Sequence, residues 1–511
     1  MNINPVKLEI KLDDGWHLSG DQLPGDLSLE YSDGVLCLTG GETPVLELKV
    51  TFDCRIPETA LVLGDAWERG YGELEWKRPA ESGVLPWYFL AHFEGKTQCF
   101  GVKTQPNAMC YWKVENGTVC LYADVTSGAR GVRLAGRTLT VAEVVAEEYT
   151  NDSLDAATDF CGKLCDNPRL PAAPVYGGND WYCCYGENSH DSILEHARKV
   201  AECAEGLENP PFMVIDDGWQ ICHHNGTDGT QHYNGGPWCC SNSRFGDMKQ
   251  MAADIAALGV KPGIWMRPLY TTEDFPPKEM LKIQGTMYTL DPSLPWVLEK
   301  IKTDIARLRD WGYKLIKHDL SSFDLFDKWG MNSDTYLGMK ANFSIDTKTT
   351  AEIIKGLYAA IREAAGEDVL IIGCNTFSHL SAGFFEIQRT GDDTSGLEWA
   401  RTRKMGINTL AFRMCQHNKF YAADADCVGV TKHVAWEKNS QWLDVVAKSG
   451  SVLFVSIADD GSYTEEVKQA IKEAYRKASE VHAPSRPVDW METATPKTWT
   501  SDFGTDTYNW D

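Results

Sequence analysis

The sequence predicts an α/β protein with a (β/α)8 TIM barrel, an N-terminal antiparallel β-sandwich domain and a short C-terminal β appendage. Three observations predict this fold class. Short alternating strands fill the first third of the chain, and eight apolar strands alternate with helical stretches after it. No G-x-G-x-x-G motif opens any of those helical stretches, so an open dinucleotide-binding sheet loses its main support.

The N-terminal domain is predicted over residues 1–165. Gly, Asp and Asn turns separate its alternating or β-branched runs, a pattern typical of an antiparallel sandwich. The runs are VLCLTG, VLELKVTF, ALVLGDAW, PWYFLAHF, TVCLYADV and RTLTVAEVVAEEY. The segment that follows, DNPRLPAAPVYGG, is predicted to be a linker because its prolines cluster where no periodic pattern survives.

The barrel is predicted over residues 175–482 because strands and helices alternate there. Its candidate strands are VYGGNDWY, FMVIDDGW, VKPGIWMRP, KLIKHDL, DVLIIGCN, FEIQRTGDD, KFYAADADC and SVLFVSIA. Its helical stretches include DSILEHARKVAECA, VLEKIKTDIARLRDWG and TKTTAEIIKGLYAAIREAAG. The helical stretch EEVKQAIKEAYRKASEV closes the barrel, and residues 483–511 are predicted to form a short β segment.

Charge and composition limit the partners of the chain. Its 511 residues include 73 acidic and 49 basic ones, which gives a net charge of −24. Such a charge repels nucleic acid and anionic membranes, so we expect a neutral or cationic partner. The first residues lack the pattern of a signal peptide and no long apolar run occurs, so a cytoplasmic location is expected. The sixteen scattered cysteines indicate reduced thiols rather than disulfides or structural zinc, and a homo-oligomer is left open.

Polar residues follow most of the predicted barrel strands. In a barrel of this kind, active sites form from residues at the C-terminal ends of several strands. A single polar residue at such a position is often a helix cap, a salt-bridge partner or part of the core. Here several strands end in acids or their partners, which indicates one functional cluster. The residues are Asp180, Trp181, Asp216, Asp217, Trp265, Arg267, Lys317, His318, Asp319, Arg389, Asp392, Asp393, Asp424 and Asp426.

The chemistry of the cluster suits a sugar. Two carboxylates facing one bond can divide nucleophile and acid/base work on a glycoside, while other acids accept from hydroxyl pairs and an indole packs on a sugar ring. Lys317 and Asp319 lie two residues apart on one strand, so their side chains point the same way. The ammonium is then predicted to lower the pKa of Asp319 and keep it ionised. His318 should face the other way and is interpreted as a structural histidine with its hydrogen bonds satisfied.

Six segments carry a family resemblance over roughly residues 175–435. They are FMVIDDGWQ, VKPGIWMRP, YKLIKHD, LIIGCN, QRTGDDT and AADADC, in that order. Together they resemble the signature segments of glycoside hydrolase family 36, the α-galactosidase-like family of clan D, which is related to family 27. The resemblance implies a retaining enzyme that releases terminal α-linked galactose. It implies Asp319 as the nucleophile and Asp393, four residues after Arg389, as the acid/base, with Asp392 as the fallback assignment.

The resemblance also implies sugar-binding positions. Asp216 and Asp217 match the paired acids that bind the 4- and 6-hydroxyls of galactose. The remaining sugar-binding or supporting positions that it implies are Lys317, Trp265, Trp181, Arg389, Asp426 and Cys374. It implies no metal and no cofactor, and the expected partner is an α-galactoside oligosaccharide or glycoconjugate.

The sequence also departs from the family pattern. Leu320 and two serines follow the nucleophile where many bacterial members have Asn and Arg, and Asn375 to His379 follow Cys374 as NTFSH. Arg267 stands where a small or acidic residue is expected, and it marks either an anionic group on the substrate or a salt bridge to one of the acids at the barrel mouth. These positions lie near the 2-substituent and the leaving group, so the aglycone and the group on C2 stay open.

Several alternative functions stay open from the sequence. The nearest are an α-N-acetylgalactosaminidase and an α-galactosyl transglycosylase on the same site. In a different reaction class, Lys317 could form the Schiff base of an aldolase. Asp216, Asp217 and Asp319 could hold magnesium. The last alternative is a non-catalytic sugar-binding paralogue.

Overall fold

The structure is a computed structural model that describes residues 1, 3–20, 23–223, 233–276, 278, 280–284, 287–328 and 338–511. The N-terminal strands are β1 (Pro5–Leu12), β2 (Gly15–Leu18), β3 (Ser28–Ser32), β4 (Val35–Thr39), β5 (Glu47–Arg55), β6 (Leu61–Gly64), β7 (Leu85–Pro86), β8 (Tyr88–Phe93), β9 (Lys96–Val102), β10 (Met109–Glu115), β11 (Thr118–Asp124) and β12 (Thr138–Tyr149). The later strands are β13 (Tyr176–Asn179), β14 (Phe212–Ile215), β15 (Lys261–Met266), β16 (Tyr270–Thr271), β17 (Met280–Gln284), β18 (Met287–Leu290), β19 (Leu315–His318), β20 (Leu370–Gly373), β21 (Ile387–Arg389), β22 (Ala422–Val430), β23 (Val452–Ile457), β24 (Arg486–Pro487), β25 (Thr498–Ser501) and β26 (Gly504–Thr507).

The helices connect these strands. They are α1 (Ser153–Leu164), α2 (Trp181–Cys184), α3 (His190–Cys203), α4 (Met248–Ala257), α5 (Pro295–Asp310), α6 (Ser321–Phe326), α7 (Thr350–Ala365), α8 (Ser378–Ser381), α9 (Trp399–Thr402), α10 (Asn408–Arg413), α11 (Trp436–Ser449) and α12 (Glu465–Ala478). Short 3-10 helices span Pro79–Glu81 and Met414–Gln416, and a π-helical turn spans Arg403–Ile407.

Two six-stranded antiparallel sheets form the N-terminal region, as the sequence predicts. Their strand orders are β2-β1-β5-β11-β10-β7 and β3-β4-β12-β9-β8-β6. Alternate residues of both sheets point inward and pack face to face. Trp112 of one sheet lies 5.8 Å, between ring centroids, from Phe89 of the other, and Phe89 stacks on Phe100 at 4.8 Å. The predicted antiparallel sandwich is therefore confirmed.

A closed barrel of eight parallel strands forms the middle of the chain, in the order β13-β14-β15-β19-β20-β21-β22-β23. Seven of these strands lie within the runs predicted from the sequence, and β22 begins within its predicted run and extends three residues past its end at Cys427. Their residues are almost all buried, because barrel strands face side chains inside and helices outside. This explains why a run such as FMVI is continuously apolar up to its C-terminal end. The predicted (β/α)8 fold is confirmed.

Three parts of the fold complete this architecture. A short antiparallel sheet, β24-β25-β26, ends the chain as predicted. A second small sheet, β16-β18-β17, is inserted after β15, and helix α1 follows β12; neither was predicted from the sequence. Asp152 caps α1 by accepting from the backbone N–H of Leu154 at 2.9 Å. The domain boundaries at 1–165, 175–482 and 483–511 stay a prediction.

One loop of the N-terminal region reaches the barrel mouth. Residues 65–71 follow β6, and Gly70 forms a parallel bridge with Gly391, which follows β21. The N–H of Gly70 donates to the carbonyl of Thr390 at 2.8 Å, and the N–H of Asp392 donates back to Gly70 at 2.9 Å. We call residues 65–71 the docking loop. Its contacts place side chains from the sandwich beside the barrel strand ends.

None of the helices among the described residues combines the length and apolarity that a membrane crossing requires. The sixteen cysteines all lie in the described residues and are free thiols, nine of them buried.

Candidate active site

A cavity of about 420 Å³ opens at the C-terminal ends of the barrel strands. Eight of the eleven predicted site residues line it, including both candidate catalytic acids, Asp319 and Asp393. The described lining residues are Arg69, Trp181, Asp216, Asp217, Asn234, Trp265, Arg267, Tyr270, Lys317, Asp319, Leu320, Phe323, Asn375 and Asp393. The two acids therefore share one cavity, which a reaction that uses both of them requires.

Asp319 is held as an ionised carboxylate at the end of β19. Its Oδ1 accepts from the backbone N–H of Leu320 at 2.8 Å and of Asn375 at 3.3 Å, and its Oδ2 accepts from the indole N–H of Trp265 at 3.0 Å. Burial raises the pKa of Asp319, but the positive charges of Lys317 and Arg69 and the Trp265 hydrogen bond outweigh it. The resulting pKa lies well below the usual range, as a nucleophile at neutral pH requires.

Lys317 makes a different contact from the one that the sequence predicts. Its Nζ donates to Oδ2 of Asp216 at 2.7 Å, so its direct partner is Asp216, which follows β14 and lies across β15 from the strand of Lys317. Lys317 lowers the pKa of Asp319 through the electrostatic effect of its positive charge. Burial lowers the pKa of Lys317, but Asp216 outweighs this and raises it well above the usual value. A protonated lysine is unsuited to form a Schiff base, so the aldolase alternative loses support.

Asp393 has the opposite electrostatic environment. Its Oδ1 accepts from Nη1 of Arg69 at 3.4 Å and from Nη2 of Arg389 at 3.2 Å, and about a third of its side chain is exposed. Burial raises its pKa and outweighs the two arginines, while Asp426 and Asp392 raise it further. The two cavity acids thus have pKa values shifted in opposite directions, which is the arrangement of an acid paired with a nucleophile.

Asp392, the fallback assignment for the acid/base, lies outside the cavity lining. Its Oδ1 is 2.6 Å from Nη2 of Arg69, and its Oδ2 is 2.6 Å from Nη2 of Arg401. The side chain is buried between these two guanidinium groups. This geometry favours Asp393 over Asp392.

Asp216 and Asp217 are fixed at the end of β14. Oδ2 of Asp216 accepts from Asn179 at 2.7 Å in addition to Lys317. Oδ1 of Asp217 accepts from Nε2 of Gln220 at 2.7 Å. Both carboxylates line the cavity and are held by side chains that leave little freedom of rotation. They can accept hydrogen bonds from a ligand that carries adjacent hydroxyls.

Arg389, Asp426 and Cys374 lie behind the cavity wall. Arg389 bridges Asp393 and Asp426, with its Nη2 at 3.0 Å from Oδ2 of Asp426. Asp426 also accepts from the backbone N–H of Thr394 at 2.7 Å, and Cys374 accepts from Arg389 at 3.5 Å. The sequence leaves two roles open for these residues: contact with the sugar, or support of the residues that contact it. Their positions behind the cavity wall favour the supporting role.

Arg267 forms a salt bridge. Its Nη2 lies 2.5 Å from Oδ1 of Asp324, which is on helix α6, and its Nε contacts both oxygens of that carboxylate. The guanidinium also lies 3.9 Å above the ring of Tyr270. Since Asp324 neutralises it, Arg267 needs no anionic group on a ligand. A salt bridge is therefore found, as one of the two interpretations predicts, but its partner is Asp324 of α6 and not one of the predicted acids at the strand ends.

His318 corrects one expectation. It faces away from the cavity as predicted, but its ring lies against Tyr358 and Phe385 at 5.7 and 5.5 Å between centroids. In the described part of the chain, neither ring nitrogen has a hydrogen-bond partner. The expectation of a satisfied histidine is therefore wrong, because the strand packs this side chain among aromatic rings.

Sequence reasoning missed the residues that the docking loop contributes. Arg69 lines the cavity and contacts Asp393, and Glu68 accepts from Asn375 at 3.3 Å and from the hydroxyls of Ser322 and Tyr71. The charged pair in DAWERGY was a signal, since charged residues are rarely buried in a sandwich without partners. No local sequence pattern around this charged pair indicates that it lies at the barrel mouth.

The magnesium alternative requires oxygen ligands grouped around one point of this cavity. Across the described residues, no group of three or more His, Cys, Asp and Glu side chains is arranged to hold a metal ion. Two of the three acids in the magnesium alternative already accept hydrogen bonds from protein side chains. Asp216 accepts from Lys317, and Asp319 accepts from Trp265.

The fold is similar to solved α-galactosidases, while no family model matches the sequence. One similar structure is the α-galactosidase TtGalA from Thermus thermophilus in complex with p-nitrophenyl α-D-galactopyranoside, with a TM-score of 0.61, 16% identity, and 98% of this chain and 99% of that chain covered. Another is the family 36 α-galactosidase AgaA from Geobacillus stearothermophilus, with a TM-score of 0.58, 15% identity, and 92% and 75% covered. The galactosidase domain of an α-galactosidase-sucrose kinase, AgaSK, gives 0.56, 16%, and 93% and 74%. The resemblance to family 36 α-galactosidases, predicted from the sequence, is confirmed as a likeness of fold over almost the whole chain.

Proposed function

We propose that the protein is a retaining glycoside hydrolase that releases terminal α-linked galactose from α-galactosides. The observation that carries the proposal is the pair Asp319 and Asp393, which line one cavity with pKa values shifted in opposite directions. Opposite shifts of two carboxyls in one site assign the nucleophile and the acid. The likeness to α-galactosidases supports the same choice.

The reaction proceeds by double displacement. The carboxylate of Asp319 attacks C1 while the carboxylic acid of Asp393 protonates the departing glycosidic oxygen. The C1–oxygen bond breaks, and an ester between the sugar and Asp319 forms. Asp393, now a carboxylate, takes a proton from water, which attacks C1 and releases Asp319. Two inversions at C1 give net retention.

The neighbours of Asp319 fit the role of a nucleophile. The Trp265 indole and the two backbone N–H groups fix both oxygens, so the attacking lone pair is oriented before the substrate binds. Lys317 and Arg69 supply positive charge nearby. The carboxylate therefore stays ionised in a site that excludes much of the surrounding water.

The galacto preference of the proposal depends on Asp216 and Asp217. A pair of fixed acceptors suits two hydroxyls on the same side of a sugar ring, such as the axial 4-hydroxyl and the 6-hydroxyl of galactose. Trp181, half-buried in the cavity wall, can pack on the apolar face of the ring. Similar structures are described as complexes with stachyose and raffinose, so we propose oligosaccharides of this kind as substrates, with glycoconjugates as a second class.

A screen of aryl glycosides tests the proposal. The wild-type protein is expected to hydrolyse p-nitrophenyl α-galactoside, and NMR of the first-formed sugar should detect the α-anomer. Asp319→Ala should abolish turnover with the fold intact by circular dichroism. Asp460→Asn is the matched control, because Asp460 also follows a barrel strand but bonds the backbone of Lys432 at 2.9 Å outside the cavity lining. Substantial activity in Asp319→Ala, or a first-formed β-anomer, would contradict the proposal.

A cytoplasmic location stays a prediction. A homo-oligomer and a transglycosylase activity stay open alternatives.

A further inference from the structure

We propose that Cys183 and Cys184 form a site of reversible oxidation beside the candidate active site. Hydrogen peroxide oxidises Cys183, Cys184 then forms a disulfide with it, and helix α2 loses the geometry that holds Trp181 in the cavity wall. The thiol chemistry of this site is independent of the proposed function. Only the effect of oxidation on turnover rests on that function.

The two thiols are adjacent and close to each other. Cys183 and Cys184 are the last two residues of α2, and both are partly exposed free thiols. Their Sγ atoms lie 3.5 Å apart. One sulfur can therefore attack the other without the movement of a whole element, and a small oxidant can reach both from solvent.

The surroundings of Cys183 favour its thiolate, which is the nucleophilic form of cysteine. Nδ1 of His196 lies 3.9 Å from its Sγ, and the thiol also donates to the carbonyl oxygen of Asp180 at 3.2 Å. Nε2 of His196 has no hydrogen-bond partner in the described part of the chain, so the ring can carry its proton there and accept from the thiol at Nδ1. A hydrogen bond with Cys184 lowers the pKa of Cys183, burial opposes this, and His196 lowers the pKa further, so that it lies well below the usual value.

Cys184 has the opposite property. Its hydrogen bond with Cys183 and its burial both raise the pKa of its thiol. The two cysteines therefore differ in role: Cys183 is the thiol that reacts with an oxidant, and Cys184 is the thiol that resolves the product.

The reaction balances with hydrogen peroxide as the oxidant. The sulfur of Cys183 attacks one peroxide oxygen, the O–O bond breaks, and a sulfenic acid and hydroxide form. The hydroxide takes a proton and leaves as water. The sulfur of Cys184 then loses its proton and attacks the sulfur of Cys183, the S–O bond breaks, and the oxygen leaves as a second water. The two thiols lose two electrons, and the peroxide gains them.

A disulfide between neighbouring residues does not fit a helix. Disulfides usually join Cα atoms about 4.4–6.8 Å apart, whereas a trans peptide places neighbouring Cα atoms only about 3.8 Å apart. The peptide between Cys183 and Cys184 must therefore leave its helical geometry. Two hydrogen bonds of α2 span this peptide, from the N–H of Cys184 to Asp180 at 3.0 Å and from the N–H of Tyr185 to Trp181 at 2.7 Å. Their loss moves Trp181, which lines the cavity.

The same mismatch makes the oxidation reversible. A disulfide that deviates from preferred geometry is more easily reduced, and strained or exposed disulfides are the labile ones. Both cysteines remain partly exposed at the surface of α2. A dithiol reductant should therefore reopen the bond and restore the helix.

A second adjacent pair, Cys239 and Cys240, provides an internal control. Its Sγ atoms lie 3.4 Å apart, and both residues are exposed. Burial and the neighbouring thiol of Cys239 raise the pKa of Cys240. Neither residue lines the cavity, and their hydrogen bonds within the described structure involve no histidine. This pair shares the adjacency of Cys183 and Cys184 but lacks the imidazole.

Peptide mass spectrometry tests the inference. The wild-type protein is treated with hydrogen peroxide, and its remaining thiols are alkylated with iodoacetamide. The peptide with Cys183 and Cys184 should be two hydrogen atoms lighter and free of alkylation. Hydrogen exchange of residues 180–185 should be faster after oxidation, because two bonds of α2 are lost. Turnover of p-nitrophenyl α-galactoside should fall about 10-fold or more and recover with dithiothreitol, since small displacements in a site are costly.

Three variants locate the reaction. Cys184→Ser should stop at the sulfenic acid of Cys183, which dimedone labels. Cys183→Ser should prevent both the disulfide and the reversible loss of turnover. The double variant Cys239→Ser with Cys240→Ser is the matched control, and it should retain the disulfide in α2 and the loss of turnover.

Three results would overturn the inference: alkylation of both Cys183 and Cys184 after peroxide treatment, the same reversible loss of turnover in Cys183→Ser, or a disulfide in α2 that leaves hydrogen exchange unchanged. Absence of turnover on every glycoside before oxidation would contradict the proposed function instead. The mass and hydrogen-exchange measurements then decide the inference without a substrate.

Discussion

Nη1 of Arg69, from the docking loop of the sandwich, lies 3.4 Å from Oδ1 of Asp393 at the barrel mouth. Burial raises the pKa of Asp393 and of Asp319, and Arg69 opposes the rise at both carboxyls. One cation from outside the barrel therefore acts on both candidate catalytic acids. Its field biases each of them toward the ionised state.

Arg69→Gln should shift the pH dependence of the reaction. Without the guanidinium, the pKa values of Asp319 and Asp393 both rise, so both limbs of the bell-shaped profile of kcat/KM should move to higher pH. The value at the optimum should also fall. Arg137→Gln is the control, because Arg137 pairs with Glu352 at 2.7 Å away from the cavity. A lower rate with both limbs in their original positions would contradict the electrostatic role of Arg69.

Asp393→Ala should separate good from poor leaving groups. The variant lacks the acid that protonates the departing oxygen, so cleavage of an oligosaccharide should slow by about 10²–10⁴-fold. The first step on an aryl glycoside should be nearly retained, and azide should restore turnover by attacking the glycosyl-enzyme in place of activated water. The measurement is steady-state kinetics with and without azide. Equal losses on both substrate types would contradict the acid/base assignment.

Arg267→Met should destabilise the barrel. It leaves the buried Asp324 without its cation, and breaking one partner of a buried pair typically costs about 3–5 kcal/mol. The double variant Arg267→Met with Asp324→Leu should recover much of this loss because no buried charge remains. Urea unfolding followed by tryptophan fluorescence measures both. If the single and double variants are equally unstable, the salt bridge is not the source of the effect.

His318→Leu should stabilise the protein. The ring nitrogens of His318 are buried without partners in the described structure, and a buried unpaired polar group costs about 1–3 kcal/mol. Leucine removes both nitrogens at a similar size. His433→Leu, at an exposed position, should leave the melting temperature nearly unchanged. A lower melting temperature for His318→Leu would show that the ring has a partner or a packing role that leucine cannot replace.

Three buried histidines should make the protein sensitive to acid. Burial lowers the pKa of His318 to about 3 and the pKa values of His379 and His417 to about 4, from an ordinary 6.5. Below pH 6.5 the unfolded chain binds protons that the folded chain does not, so the stabilisation present above pH 6.5 is lost as the pH falls toward 4. Each histidine contributes about 1.4 kcal/mol per pH unit to this slope. His318→Leu should reduce the slope, measured as melting temperature against pH.

The barrel could be predicted from the sequence because its strands are buried on both faces. A run such as FMVI is apolar until the strand ends, and the first polar residue, Asp216, then marks the mouth of the barrel. Since parallel strand ends meet at one rim, residues distant in sequence could be grouped without knowing any contact. Asp319 and Asp393 share one cavity for this reason.

The contacts between elements could not be predicted in the same way. Arg69 and Asp393 are 324 positions apart, and no local pattern specifies that a sandwich loop docks on a barrel mouth. Lys317 could be placed beside Asp319 by strand periodicity. Its direct partner, Asp216, follows β14, which β15 separates from β19, so this contact depends on the strand order of the whole barrel. His318 was assigned to the outer face correctly, whereas its lack of partners depends on which rings pack there.

The bridge between Gly70 and Gly391 has a consequence for biogenesis. The ribosome releases the sandwich before the barrel, and domains generally fold in the order of their synthesis. The docking loop is therefore present as a template when the later strand ends emerge, and the acids that follow β21 meet their counter-charge as the barrel closes. A barrel produced without the N-terminal sandwich would have to close while Asp392 and Asp393 lack the positive charge of Arg69. Supplying the sandwich as a separate polypeptide should therefore rescue the folding of the barrel.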